Sequence, residues 1–190
     1  PLAPVEVVGE TSIRGTRQHF WPDATIFTTT TYKYDILANR MRELAYLNAG
    51  ITITLRDLRP DDEGNTREDV FHSDFGLREF VKYIDSSRTH LFNDVIYIQT
   101  EKNNIPIEVA IMYNTSYSEN LHSYVNNINT IEGGTHLVGF RSAVTRVLKK
   151  YAEETAAKQL EKAKVEITGE DFREGLTAVI SVKVAEPQFE

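Results

Sequence analysis

Two β-rich runs joined by a pair of asparagines constrain the fold of this chain most strongly. The runs cover residues 95–102 and 105–113, and only Asn103 and Asn104 separate them. Asparagine tolerates the left-handed backbone conformation that a two-residue hairpin turn requires. The apolar residues of the second run alternate with others: Ile105, Ile107, Val109, Ile111 and Tyr113. Because this period of two places them on one face, the sequence predicts an antiparallel hairpin with a fixed register.

Two shorter segments have the periodicity of helices that are buried on one side. The first, residues 35–48, carries apolar residues at helical spacing and is followed by Gly50, a common stop signal. The second begins after Asp74, which we expect to be its N-cap, and ends in the polar run 85–88.

The longest predicted helix runs from His136 to about Lys162. It follows Gly133 and Gly134, and we expect Thr135 to be its N-cap. Its apolar stripe consists of Leu137, Phe140, Val144, Val147, Leu148, Tyr151 and Thr155. The stripe predicts a helix that packs along one side over most of its length.

Further strands are predicted on both sides of the hairpin. Residues 51–56 alternate in polarity, and residues 67–72 return as their antiparallel partner after a polar turn. We expect residues 120–129 to form one strand and residues 177–184 another, with inward residues Ala178, Ile180, Val182 and Val184. Since strands and helices do not alternate strictly, the order favours an α+β fold, a mixed sheet backed by helices, over a doubly wound sheet.

Composition excludes several classes of protein. The chain has 190 residues, which is enough for one domain or two small ones, and no cysteine. A disulfide framework, a thiolate metal site and a cysteine nucleophile are therefore excluded. No long apolar run or secretory signal pattern occurs, so we expect an intracellular protein without a membrane span. The net charge of −7 repels phosphate, so any contact with nucleic acid requires a local basic surface.

No motif for catalysis or metal binding stands out. The five histidines are scattered: His19, His72, His90, His122 and His136. No two of them have the spacing of a helical metal site, and the Gly-x-Ser-x-Gly nucleophile motif does not occur. We therefore expect neither a metal site nor a catalytic residue in this chain.

Two features of the long helix leave a choice between a structural and a functional interpretation. The segment Glu132-Gly-Gly-Thr135 could cradle a phosphate at the helix start, but it lacks the lysine of a Walker loop, which favours a structural turn. Arg146, Lys149 and Lys150 project opposite the apolar stripe, and Arg141 lies at its border. They form either an ordinary solvated face or a basic surface.

Several collinear blocks of the sequence strongly resemble the second domain of the B subunit of bacterial DNA gyrase. The blocks are Arg42-Glu-Leu-Ala-Tyr-Leu-Asn48, Gly50-Ile-Thr-Ile53, Tyr117-Ser-Glu-Asn120, Asn126-Asn-Ile-Asn129, Glu132-Gly-Gly-Thr-His-Leu137 and Gly175-Leu-Thr-Ala-Val-Ile-Ser-Val-Lys183. The B subunit of topoisomerase IV shares most of these blocks. Phe20-Trp-Pro-Asp23 and Arg14-Gly-Thr16 resemble gyrase more closely.

This resemblance implies a fold and a role. The fold is that of ribosomal protein S5 domain 2, and residues 1–190 would form a single transducer domain, a fragment of a longer protein. In the family, the transducer couples ATP binding and hydrolysis to closure of a gate and passage of duplex DNA. The parent enzyme, a type II DNA topoisomerase, uses ATP and Mg²⁺, pairs with the A subunit of gyrase and is cytoplasmic, associated with the nucleoid. The fragment alone is expected to be inactive and monomeric.

The resemblance also implies where functional residues lie. A Gln-x-Lys loop that reaches the γ-phosphate would begin beyond Glu190, so no catalytic or cofactor-binding residue is expected here. Arg141, Arg146, Lys149 and Lys150 become candidates for lining the DNA cavity, with Arg88 as a further cation. Gly133, Gly134 and Thr135 form the structural loop before the helix. Relatives commonly carry an arginine before this loop, where this chain has Ile131.

Two other classes of function fit the residues less well. An RNA-binding module of the same fold would need interleaved aromatic and basic residues, which are sparse here. A small-molecule kinase of the same superfold would need a basic residue in the Gly-Gly loop, which is missing. The sequence favours the topoisomerase interpretation over both.

Overall fold

A computed structural model describes residues 4, 6–12, 15, 18–164 and 167–189. Arg14 and Thr16, from one of the gyrase-like blocks, lie outside the described residues. The chain divides into two compact units, residues 1–33 and residues 34–190. The described part of the first unit contains a turn in which the Asp23 carbonyl accepts the Phe27 N–H at 2.9 Å. All helices and strands of the described residues lie in the second unit.

The second unit has three α-helices and seven strands within the described residues. The helices are α1 (Tyr34–Leu47), α2 (Leu77–Asp85) and α3 (Thr135–Ala163). The strands are β1 (Thr52–Asp57), β2 (Arg67–His72), β3 (Ile96–Lys102), β4 (Ile105–Tyr113), β5 (Asn120–Val125), β6 (Ile128–Asn129) and β7 (Leu176–Val182). A single 3₁₀ turn, Asp171–Arg173, precedes β7. The predicted α+β class is confirmed.

The main sheet has five strands in the order β3-β4-β7-β5-β6. Strand β7 is antiparallel to β4 and parallel to β5, so the sheet is mixed. Every residue of β7 is buried, because helices cover both faces of the sheet at its centre. The sequence predicted only the face of β7 that carries Ala178, Ile180 and Val182, whereas Thr177 and Val179 on the other face are buried as well.

Two asparagine pairs make the hairpin turns of this sheet. Asn103 and Asn104 have φ angles of 54° and 60°, which confirms the predicted turn between β3 and β4. Asn126 and Asn127 have φ angles of 49° and 66° and join β5 to β6. The prediction of one strand over residues 120–129 is therefore wrong, because the second pair folds the chain back on itself.

The start of α2 differs from the prediction. Gly76 precedes the helix, and its N–H donates to Ser73 Oγ at 2.9 Å. Glu79 in the first turn accepts a hydrogen bond from the Ser73 hydroxyl. Hydrogen bonds of a serine and a glutamate thus fix the backbone at the start of α2. Asp74 is not the N-cap, because its carboxylate lies 3.1 Å from His72 Nε2 on the surface.

The helices enclose the sheet from both sides. On one face, α1 and α2 pack against the sheet. The helices contribute Leu47, Leu77, Phe80 and Val81, and the strands contribute Ala110, Met112, Tyr124 and Val179. On the other face, Leu137 of α3 packs against strand residues: Val109, Ile111, Leu176, Ala178, Ile180 and Val182. The other side of α1 contacts the β1–β2 ribbon through Ala38, Ala45 and Phe71. This layering places α3 on the sheet face opposite α1 and α2.

Only the first part of α3 is packed into the core. Leu137 is buried, and Phe140 and Val144 are half-buried against the sheet. Val147 and Tyr151 are 59% and 64% exposed, and Leu148 is half-buried, so the predicted stripe is only partly covered over its second half. No helix among the described residues is long and apolar enough to cross a membrane.

Candidate functional site

The loop before α3 is shaped by two glycines. Gly133 has φ 87°, and Gly134, the residue before the helix, has φ 150° and ψ 173°. A Cβ on Gly134 would lie 2.9 Å from the His136 ring. Thr135 is the first helical residue, and no side chain caps the helix, so the prediction of Thr135 as N-cap is wrong. Gly134 takes this place because its conformation is one that other residues rarely adopt.

The same loop is tied to the sheet. His136 Nε2 lies 3.2 Å from the Thr130 hydroxyl, which in turn donates to the Ser123 carbonyl of β5 at 2.9 Å. Burial lowers the pKa of His136. The space above Gly134 is therefore filled by a side chain of this chain, which favours a structural turn over a phosphate cradle.

We expect Gly134→Ala to destabilise the protein by about 1–3 kcal/mol, because alanine at this φ is strained and its Cβ meets the His136 ring. Thr135→Ala is the matched control. Thr135 is exposed and makes no cap, so its replacement should change stability by about 0.5 kcal/mol or less. Urea unfolding curves of the two variants test this, and equal losses would contradict the assignment of Gly134.

Three of the four predicted cavity residues lie together on α3. Arg146, Lys149 and Lys150 are exposed, and at about 100° per residue they fall within an arc of about 100°. Among the described residues, Arg146 and Lys149 form no ion pair, and Lys150 Nζ is 3.8 Å from Glu154. We call these three residues the basic face. It points away from the sheet and presents positive charge to solvent.

Arg141 is placed differently. It lies about 140° around the helix from Arg146, at the border of the buried side. Its guanidinium donates to Glu119, with Nε to Oε2 at 3.0 Å and Nη2 to Oε2 at 2.8 Å. The structure therefore separates Arg141 from the basic face and gives it a carboxylate partner.

Glu119 joins three parts of the domain. It precedes β5, and besides Arg141 it lies 3.1 Å from Arg173 Nε in the 3₁₀ turn. Arg173 Nη1 donates to Thr145 Oγ1 of α3 at 2.8 Å and to the Gly169 carbonyl at 2.7 Å. We call Glu119, Arg141, Thr145, Gly169 and Arg173 the Glu119 cluster. It anchors α3 where the helix leaves the core.

The structure also places Arg88 and Ile131, two further positions of interest from the sequence. Arg88 Nη1 lies 3.3 Å from the carboxylate of Asp85, so Arg88 forms an ion pair within the domain. Ile131 is 86% exposed. The position where the resemblance leads us to expect an arginine is thus on the surface, but its side chain is apolar here.

The next feature is the arrangement of side chains that could bind a metal ion. No group of three or more histidine, aspartate or glutamate side chains in the described part of the chain is arranged to hold one. The expected absence of a metal site, of a cofactor site and of catalytic residues remains a prediction.

The mixed sheet, its helical layers and the long α3 define an α+β domain of the kind present in gyrase ATPase regions. The 43K ATPase domain of Thermus thermophilus gyrase B, solved with an aminocoumarin, is 33% identical, with a TM-score of 0.69 over 89% of this chain and 44% of that one. The gyrase B protein of Myxococcus xanthus has a TM-score of 0.70 at 23% identity, over 85% of this chain and 43% of that one, which shows the fold alone. The chain belongs to the DNA gyrase B family, whose sequence model matches residues 76–190.

Curated relatives agree with this assignment. The DNA gyrase B protein of Cytophaga hutchinsonii is 59% identical over 100% of this chain and 40% of its own length. The corresponding protein of Clostridium acetobutylicum is 46% identical over 99% of this chain and 29% of its own length. The resemblance read from the sequence is confirmed, and the chain spans well under half the length of these relatives.

Proposed function

We propose that this chain is the transducer of a DNA gyrase B protein, and that it couples ATP binding and hydrolysis in the parent enzyme to gate closure and DNA strand passage. Membership of the gyrase B family supports this proposal. The observation that carries it is α3, which is anchored to the sheet at one end and exposes the basic face beyond that anchor.

The packing suits a body that transmits motion without deforming. Strand β7 is buried on both faces, and close-packed interiors resist compression. The glycine loop and the Glu119 cluster hold the first turns of α3 against this sheet. A displacement of the domain would therefore carry the basic face with it as one unit.

We propose that the residues described in this chain do not hold ATP or Mg²⁺ in the parent enzyme. The loop at the start of α3 has no lysine, and the His136 ring fills the space at Gly134. Among the described residues, no group of three or more acidic or histidine side chains is arranged to hold a metal ion. We propose that the ATP-binding domain of the same protein holds the nucleotide and its metal ion. The gyrase A protein and the remaining domains would hold the cleaved duplex, in the bacterial cytoplasm.

The DNA contact we propose is electrostatic and carries no sequence information. The basic face offers three cations on a chain with a net charge of −7. Cations on one helix face meet phosphates, and such contacts weaken as salt rises. The contact is suited to a duplex that passes through a cavity and has to leave again.

Reversing the charge of the basic face is expected to impair strand passage. The variant Arg146→Glu/Lys149→Glu/Lys150→Glu in the complete enzyme should lower DNA supercoiling at least about tenfold at low salt, because three phosphate contacts become repulsive. The loss should shrink as salt rises and screens the charges. ATP turnover without DNA should stay near the unaltered rate. Supercoiling assays over a salt series measure this.

A matched control separates position from net charge. Lys82→Glu/Lys102→Glu/Lys183→Glu changes the charge by a similar amount at exposed lysines outside α3. This control variant should supercoil DNA at nearly the unaltered rate. If both triple variants lose activity equally, the basic face has no special role and the proposed DNA contact is wrong.

A further inference from the structure

We propose that Glu119 is a built-in competitor of DNA phosphate at Arg141, so that Arg141 joins the DNA contact only after Glu119 releases it. This inference rests on the function proposed above and adds a regulatory element to the same helix. Arg141 binds Glu119 through two nitrogens, Nε and Nη2. A guanidinium fork recognises carboxylate and phosphate oxygens with the same planar geometry, so each can replace the other.

Arg141 is accessible to such a competitor. Its side chain is 43% exposed, compared with 23% for Glu119. It lies eight residues before Lys149, about 12 Å along the helix axis and about 80° around it, whereas Arg146 and Lys150 lie about 140° and 180° around from it. A duplex that reaches Arg141 therefore approaches α3 from the side that Lys149 borders, not over the centre of the basic face.

The exchange leaves no charge without a partner. When Arg141 turns to a phosphate, Glu119 keeps Arg173 Nε, which lies 3.1 Å away. Arg173 also keeps Thr145 and the Gly169 carbonyl, so the anchor between α3 and the 3₁₀ turn remains. An isolated charge inside a protein is costly, and the second arginine avoids that cost. Because two arginines share one carboxylate, the release of Arg141 costs little free energy.

The test uses the complete gyrase B protein and a DNA duplex of about 20 base pairs, with dissociation constants measured from about 25 to about 100 mM salt. Glu119→Gln should steepen the slope of log affinity against log salt by about 0.9, the value for one added phosphate contact. Over this fourfold range of salt, the variant should lose about threefold more affinity than the unaltered chain.

Further variants show which residue causes the steeper salt slope, which we call the gain. Glu68→Gln removes the same charge and frees Arg56 from its partner on the β1–β2 ribbon, so its salt slope should stay unchanged. Adding Arg141→Gln to Glu119→Gln should abolish the gain. Arg141→Gln alone should leave the slope as it is, because Glu119 already occupies the arginine, and this variant leaves Glu119 bound to Arg173.

The outcomes separate the inference from the proposed function. If Glu119→Gln behaves like Glu68→Gln, or if its gain persists without Arg141, the competition is wrong. A shallower slope for Arg141→Gln alone also overturns it, because Arg141 would already contact DNA. In each case, the proposed DNA contact would still be supported if supercoiling fell in the triple variant of the basic face and not in the control triple variant. Equal effects of the two triple variants on supercoiling would reject that contact independently.

Discussion

Gly175→Ala is expected to destabilise the domain by about 3–5 kcal/mol, a large part of the about 5–15 kcal/mol that keeps a typical protein folded. Gly175 has φ 70°, and a Cβ there would lie 2.2 Å from the Asn114 carbonyl oxygen and 3.0 Å from that of Ser116. Both are backbone atoms, so no flexible side chain can move aside. Strand β7 starts at the next residue, so the displacement would reach the centre of the sheet.

A second glycine isolates the effect of the close approach. Gly64 has φ 82° in the turn between β1 and β2, and nothing lies within 4 Å of a Cβ there. Gly64→Ala therefore has the unfavourable φ alone and should cost about 1 kcal/mol. Urea unfolding and soluble yield of the two variants give the comparison. Similar losses at both positions would show that the contact with Asn114 is not the cause.

The fold was predictable from the sequence where local chemistry determines it. The hairpin around Asn103 and Asn104 follows from turn residues and strict alternation, both of which are local. The same turn chemistry at Asn126 and Asn127 did not reveal a second hairpin, because β6 has only two residues. A period of two cannot be recognised in so short a strand, so the segment looked like one continuous strand.

The extent of burial along α3 was not predictable, because it depends on the size of the sheet. A helix of 29 residues is about 44 Å long, whereas the sheet spans about 19 Å across its five strands and about 31 Å along its longest strand, the nine-residue β4. The apolar period continues through Val147 and Tyr151, but the sheet does not. Periodicity shows which side of a helix faces a core and says nothing about where the core ends.

The sequence was enough to predict which charged residues share an exposed helix face, but not which charged residues form ion pairs. Arg146, Lys149 and Lys150 could be placed on one exposed face because helical spacing alone determines it. Glu119 and Arg141 are 22 residues apart in sequence, and only the tertiary fold brings them together. The resemblance marked the block around Glu119, but no local pattern indicated its partner.

Asp85→Ala is expected to cost about 3–5 kcal/mol, the usual loss when one partner of a buried charge pair is removed. Asp85 is fully buried at the end of α2. Its Oδ1 accepts hydrogen bonds from Thr177 Oγ1 at 2.7 Å and Asn114 Nδ2 at 2.8 Å. Its charged partner is Arg88, whose Nη1 lies 3.3 Å from Oδ1, while Oδ2 lies 3.1 Å from His90 Nε2 without a hydrogen bond. The carboxylate thus joins α2 to the ends of β4 and β7.

The size of the loss follows from the groups that Asp85 satisfies. Thr177 and Asn114 are 0% and 3% exposed, so water cannot replace the missing acceptor. Each buried donor left without a partner costs about 1–3 kcal/mol. Asp85→Asn retains an oxygen for both donors and loses only the charge, so we expect about half the destabilisation of the alanine variant.

Asp74→Ala provides the control for Asp85. The Asp74 carboxylate is 74% exposed and pairs with His72 on the surface, where a lost ion pair costs about 1 kcal/mol or less. Thermal and urea unfolding of the three aspartate variants should therefore rank them Asp85→Ala, Asp85→Asn and Asp74→Ala in decreasing loss. If Asp85→Ala is as stable as Asp74→Ala, water or a rearranged side chain satisfies Asn114 and Thr177. The junction of α2, β4 and β7 would then be held by apolar packing instead of by the buried carboxylate.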